Sequence, residues 1–141
     1  MKLNFVILLV DDDEDDRQIF VEAMKVLKLS AQVVQATNGL HALGLIKDPA
    51  VPKPDIMIFD LNMPRMNGLE LLCAVRAQSG CDQIPIVIYS TSSRPEDINQ
   101  CLASGADTYL PKHSSFAQLC KDLLGVFQQY ISGDIHGDDQ V

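Results

Sequence analysis

Ile56-Met57-Ile58-Phe59-Asp60-Leu61-Asn62-Met63-Pro64-Arg65-Met66-Asn67-Gly68 decides the fold. Its first four residues are apolar without alternation, as expected of a strand covered by helices on both faces. An acid closes the run, a turn rich in Asn, Pro and Gly follows, and helical spacing of apolar residues then occupies residues 68–78. The same unit recurs in both directions. Residues 5–10, 32–36, 86–89 and 108–110 read as further strands, and residues 15–27, 39–47, 95–104 and 115–131 as helices. Asp48-Pro49 and Pro52-Lys53-Pro54 mark a loop, because proline ends helices and restricts the residue before it. A βα succession of this kind predicts an α/β fold with a five-stranded parallel sheet wrapped by helices.

The chain of 141 residues, 47% hydrophobic, suits one domain with a substantial core. The domain is expected over residues 1–132, with the polar, acidic stretch 133–141 as a disordered tail. Nineteen acids against eleven Lys and Arg give a net charge of −8, which argues against nucleic acid or anionic lipid as partner. The apolar opening from Met1 to Val10 imitates a secretory signal faintly, but it stops at a block of carboxylates and offers no small-residue cleavage site. No other run approaches a membrane span, so a cytoplasmic protein is expected. Cys73, Cys81, Cys101 and Cys120 lack the close spacing of zinc or dithiol sites and read as reduced thiols.

Chemistry is concentrated at the strand ends, where open α/β sheets place their sites. The first strand runs into Asp11-Asp12-Asp13-Glu14-Asp15-Asp16. Asp11 and Asp12, attached to a buried strand, are candidate ligands for Mg2+ or Mn2+, since hard oxygen donors suit those cations. Asp13 to Asp16 read instead as a solvated helix start, where acids favour the cap and first turn. Asp60 ends the third strand, and two acid-bearing strand ends in adjacent βα units make a shared cation site. Ser90, in Tyr89-Ser90-Thr91-Ser92-Ser93, brings hydroxyls to the same edge, and Tyr109-Leu110-Pro111-Lys112 brings an ammonium. Each residue alone has an ordinary reading, as a turn former, a helix cap or a solvated lysine; their convergence on one edge is the signal.

At these spacings the chain resembles the receiver domains of two-component signalling, from about Leu3 to about Ile131. The motifs are Ile7-Leu8-Leu9-Val10-Asp11-Asp12, residues 60–68, Ile84-Pro85-Ile86-Val87-Ile88-Tyr89-Ser90, Gly105-Ala106-Asp107 and Tyr109-Leu110-Pro111-Lys112. The resemblance implies a flavodoxin-like doubly wound sheet in the order 2-1-3-4-5. It implies Asp60 as phosphoacceptor, Asp11 and Asp12 as holders of Mg2+ with the Asn62 backbone carbonyl, Ser90 as switch hydroxyl and Lys112 as the contact to the phosphoryl group. Tyr109 takes the place of the aromatic switch residue, and Asn62 and Ser92 occupy positions that tune phosphoryl lifetime. The implied donor is a histidine kinase or histidine phosphotransfer protein. Output runs to a downstream protein of unknown identity through the face of the fourth helix, fifth strand and fifth helix, without a DNA-binding domain. Receivers often dimerise through that face, so a homodimer is among the expected assemblies.

One position departs from the family. Receivers usually follow the lysine with proline in a cis peptide, whereas here His113 follows Lys112. A cis bond before a non-proline residue costs about 2.5–4 kcal/mol, against about 0.5–1 before proline, so a trans or strained cis bond is expected. Two rival readings exist. A haloacid-dehalogenase-like phosphatase also uses an aspartyl nucleophile after a strand, and Asp11 and Asp13 superficially suit it, but the chain is short and its strongest Asp motif lies on the third strand. A pseudo-receiver without phosphorylation draws support from His113 and is opposed by the complete acid, hydroxyl and lysine positions.

Overall fold

The computed structural model describes residues 4–112 and 115–131. Strands and helices alternate as β1 (Phe5–Val10), α1 (Glu14–Leu27), β2 (Ala31–Ala36), α2 (Gly39–Lys47), β3 (Ile56–Phe59), α3 (Gly68–Arg76), β4 (Ile86–Ser90), α4 (Pro95–Ala103), β5 (Thr108–Pro111) and α5 (Phe116–Tyr130). The strands form one parallel sheet in the order β2-β1-β3-β4-β5, as expected. Chain order reverses at β1, so the crevice beside β1 and β3 is the switch point at which such sheets place their sites.

Side-chain alternation along the strands divides the core into two layers. Leu8, Val10, Met57, Phe59, Ile86 and Ile88 face one side and pack against Ala42 of α2, Leu71, Leu72 and Val75 of α3 and Cys101 of α4. Phe5, Ile7, Leu9, Ile56, Ile58 and Val87 face the other, against Phe20, Ala23 and Met24 of α1 and Leu119, Leu123, Val126 and Phe127 of α5. β3 is buried along its whole length, which accounts for its unbroken apolar run.

Boundaries differ from expectation by a residue or two. β4 and β5 each extend one residue further, with Ser90 paired to Pro111; β5 lies at the sheet edge, where proline's missing N–H is tolerated. α3 stops at Arg76 rather than at residue 78, its last turn tightened by the Ala77 N–H reaching back to Cys73 and Val75. Residues 133–141 and the Lys112–His113 bond lie outside the described residues. Among the described residues the four cysteines are free, and no helix is long and apolar enough to cross a membrane.

Arg76 ties the edge of the molecule opposite the strand-end acids. Its guanidinium donates to the carbonyls of Gly105 at 2.9 and 3.0 Å, Cys81 at 3.0 Å and Ile84 at 2.7 Å, and to the Asp107 carboxylate at 2.9 Å. That carboxylate also accepts the Ile86 N–H at 2.8 Å, so one arginine fixes the end of α3, the start of β4 and the turn into β5. Gly105 has φ +115°, and a Cβ there would approach the Arg76 side chain at 3.2 Å. Arg76→Ala strands several partly buried carbonyls and should destabilise the domain by about 2–4 kcal/mol in urea denaturation. A loss below about 0.5 kcal/mol contradicts this role.

Candidate functional site

The backbone delivers the acids before any side chain acts. Asp60 N–H donates to the Val10 carbonyl at 2.8 Å, and Asp11 N–H to the Ala36 carbonyl at 3.1 Å, so both residues continue the sheet past the strand ends. The loop after Asp60 folds straight back: Gly68 N–H donates to the Leu61 carbonyl at 2.8 Å. A Cβ on Gly68 would stand 2.3 Å from the Asp60 carbonyl oxygen, a clash with backbone that no side-chain movement relieves. Glycine at this position is therefore required by close approach. Asn67 and Glu70 then cap α3 reciprocally, at 2.8 and 3.0 Å, and fix the loop's far end.

Within this frame carboxylate oxygens of Asp11, Asp12 and Asp60 lie within 4.8 Å of one another. Asp11 and Asp60 are buried, at 2% and 8% exposure, while Asp12 is exposed. Lys112 Nζ enters between them, 2.9 Å from Asp11, 2.8 Å from Asp16 and 3.6 Å from Asp60, and 5.3 Å from the centre of the Tyr89 ring. Its backbone N–H bonds the Ser90 carbonyl at 2.7 Å, which anchors the lysine to β4.

The electrostatics follow from burial. Loss of solvent raises the Asp60 carboxyl to about 6; the charges of Asp11 and Asp12 push the same way, and Lys112 and the Asn62 N–H resist. Asp11 is also raised by burial, against its bonds from Lys112 and the Asp13 N–H. Burial by itself lowers the Lys112 ammonium, yet hydrogen bonds to Asp11 and Asp16 and the charges of Asp11 and Asp60 reverse this and raise it. The lysine is thus a fixed cation facing more negative charge than it balances.

On the other side, the buried Ser90 hydroxyl accepts the Ser92 N–H at 3.1 Å. Ser92 in turn donates its hydroxyl to Asp97 at 2.6 Å, and its carbonyl accepts the Tyr109 hydroxyl at 2.8 Å. Tyr109 is half-buried against the layer formed with α2, α3 and α4.

Asp11, Asp12, Asp60 and Lys112 therefore meet as the sequence suggested, and Asn62 contributes an N–H to Asp60. One expectation is corrected. Asp13 caps α1 and accepts the N–H groups of Asp15 and Asp16, as foreseen, but Asp16 is not a merely solvated helix-start acid. As the third residue of α1 it turns back over the site and pairs with Lys112. Arg17 was missed as well: it donates to the Asp11 carbonyl at 2.8 Å and to the Gln35 side chain at 3.1 Å. The signal for both was their place in the first turn of a helix that begins two residues beyond Asp11 and Asp12.

A doubly wound parallel sheet with paired acids, a central acid, a hydroxyl and a lysine at its switch point defines a receiver. Residues 7–124 match the response regulator receiver domain, and the chain belongs to that family of two-component signal-transduction proteins. It is 38% identical over 115 residues to the two-component response regulator ARR17 of Arabidopsis thaliana, covering 75% of this chain and 74% of that one. It is 26% identical over 125 residues to response regulator Rcp1 of Synechocystis sp., covering 86% and 85%. The solved Mn2+-bound form of Rcp1 superposes with a TM-score of 0.79 at 25% identity, over 91% of this chain and 95% of that one. The phosphorylated cyanobacterial phytochrome response regulator RcpA gives 0.83 at 25% identity, over 92% and 96%.

Burial of the Asp60 carboxylate, with the charges of Asp11 and Asp12 added to it, implies a cost in the metal-free chain. Folding raises Asp60 from 3.8 to about 6, so the folded state holds its proton longer, and this contribution to stability is present near pH 4 and lost as pH climbs through 6. Asp60→Asn should stabilise the metal-free protein by about 1–3 kcal/mol above pH 7, the gain shrinking to near zero at about pH 4. Urea denaturation in chelator across that range measures it; destabilisation by Asp60→Asn contradicts it.

Proposed function

We propose that this chain accepts a phosphoryl group on Asp60 from a phosphohistidine of a histidine kinase or histidine phosphotransfer protein, and signals by altered protein contacts. The observation that carries this reading is the buried Asp60 carboxylate in a triad of acids spanning 4.8 Å, with the Lys112 ammonium 3.6 Å away. The donor set is all oxygen and carries more negative charge than Lys112 balances, which fits a hard divalent cation. Asp11, Asp12 and Asp60, with the Asn62 carbonyl, would hold Mg2+ or Mn2+. The Mn2+ of the Rcp1 structure supports that choice. When bound, the cation neutralises charge on the equatorial oxygens of the moving phosphoryl group.

The chain's own residues supply the remainder. With its carboxyl near 6, Asp60 is ionised at neutral pH, and one of its oxygens attacks phosphorus in line with the donor's P–N bond. That bond breaks, its electron pair returns to the imidazole nitrogen, and an acyl phosphate is left on Asp60. Lys112 moves from Asp11 and Asp16 toward the new anionic oxygens. Ser90 gives up its bond from the Ser92 N–H and donates its hydroxyl to a phosphoryl oxygen. The released Ser92 segment then frees the Tyr109 hydroxyl, which is bonded to the Ser92 carbonyl. Reaction at Asp60 is thereby carried to the loop before α4 and to β5.

Output at the face of α4, β5 and α5 is favoured by the light anchoring of α4. Its one fully buried residue is Cys101, its capping residue Arg94 makes no side-chain cap bond, and Leu102 is exposed. A downstream protein or a second copy of the chain would bind there. Incubation with acetyl phosphate and Mg2+ should add the mass of one phosphoryl group, read by intact-mass spectrometry. The adduct should vanish in Asp60→Asn and in chelator. No adduct in the wild-type chain, or one that persists in Asp60→Asn, refutes the reading.

A further inference from the structure

Asp16 sits 2.8 Å from Lys112 Nζ, while Asp60 lies 3.6 Å from the same atom. We propose that Asp16 is a positioning residue that holds Lys112 on the α1 side of the site and competes with the phosphoryl group for it, restraining occupancy of Asp60. This deepens the phosphoacceptor reading and rests on it.

Among the described residues Lys112 has three acid neighbours, and they differ in what becomes of them. Asp11 and Asp60 belong to the triad that a cation would occupy, so their charge is shared once the site is loaded. Asp16 lies outside the triad. Its carboxylate keeps its hold on Lys112 in the loaded site, so the lysine must exchange that partner for the phosphoryl oxygens. The pair is poised for such exchange: the Lys112 side chain is 9% exposed, whereas Asp16 is 34% exposed on the rim of a cavity that it lines with Ile19, Tyr89 and Phe116. A partly wet carboxylate is a weaker tether than a buried one, which makes it a restraint and not a lock. Asp16 is also rigidly presented, because its backbone N–H is taken by the Asp13 cap at 3.2 Å.

The test is a double-mutant cycle read with beryllium trifluoride, an anion that mimics a phosphoryl group on a carboxylate, titrated into the full chain with Mg2+ and followed by fluorine NMR. Asp16→Asn should tighten binding by about three- to tenfold and quicken labelling by acetyl phosphate. In the Lys112→Met background the same substitution should change neither. A gain that persists without Lys112 assigns the effect to net charge and overturns the inference. So does wild-type-like binding in Asp16→Asn. If the wild-type chain forms no adduct, the phosphoacceptor reading falls and this inference with it; if the adduct forms and only the Asp16 effect is absent, the inference falls alone. Circular dichroism and Mg2+ affinity of each variant separate these outcomes from misfolding.

Discussion

Everything at the carboxyl edge of the sheet depends on the ion pairs of Lys112 with Asp11 and Asp16. Several acids are brought close together by the backbone, two of them out of water, and like charges at such distances repel strongly in a low-dielectric setting. A single ammonium, itself nearly buried, holds the arrangement together and leaves a surplus of negative charge. On the proposed function that surplus would recruit a divalent cation, and an anion arriving on Asp60 would have to reorganise the lysine's contacts.

The fold exists to impose this crowding. Two apolar layers clamp the sheet from both sides, and the strand-end residues extend the ladder, so Asp11 and Asp60 cannot drift apart to relieve repulsion. Gly68 lets α3 begin against the Asp60 backbone, and the Asn67–Glu70 box closes that loop. At the opposite edge Arg76 joins three segments through its guanidinium, so α3 is held at both ends. Among the described residues α4 is held by the Ser92–Asp97 hydrogen bond and buries fully only Cys101, a lighter anchoring than that of Arg76. The domain is thus rigid around the proposed phosphoacceptor Asp60 and looser where its state would be read.

The strands and helices were legible because β1, β3 and β4 are buried on both faces and so carry unbroken apolar runs, whereas the sheet order came from the resemblance to receiver domains. Asp11, Asp60 and Ser90 were legible because each directly follows or ends such a run, with Asp12 next in line, while Lys112 stood out only as the cation after the half-buried edge strand β5. What local pattern could not convey was pairing at long range. Asp16 and Lys112 are separated by 96 positions, and Asp16 looks like any first-turn acid until β5 is laid beside α1's end of the sheet. Arg17 was hidden for the same reason, since its partner is a backbone carbonyl with no residue signature. The extra residue on β4 and β5 follows from register: Pro111 pairs with Ser90 only because β5 is an edge strand.

Calorimetric titration of Mg2+ into the purified chain tests the central claim, that these carboxylates form one site left short of positive charge, most directly. A single site per chain is expected, lost on Asp11→Asn and weakened on Asp12→Asn. Near pH 6 binding should release protons, because Asp60 is then partly protonated, and the release should fade toward pH 8. Absence of saturable binding, or binding unchanged when Asp11 and Asp60 are both replaced by asparagine, would contradict it.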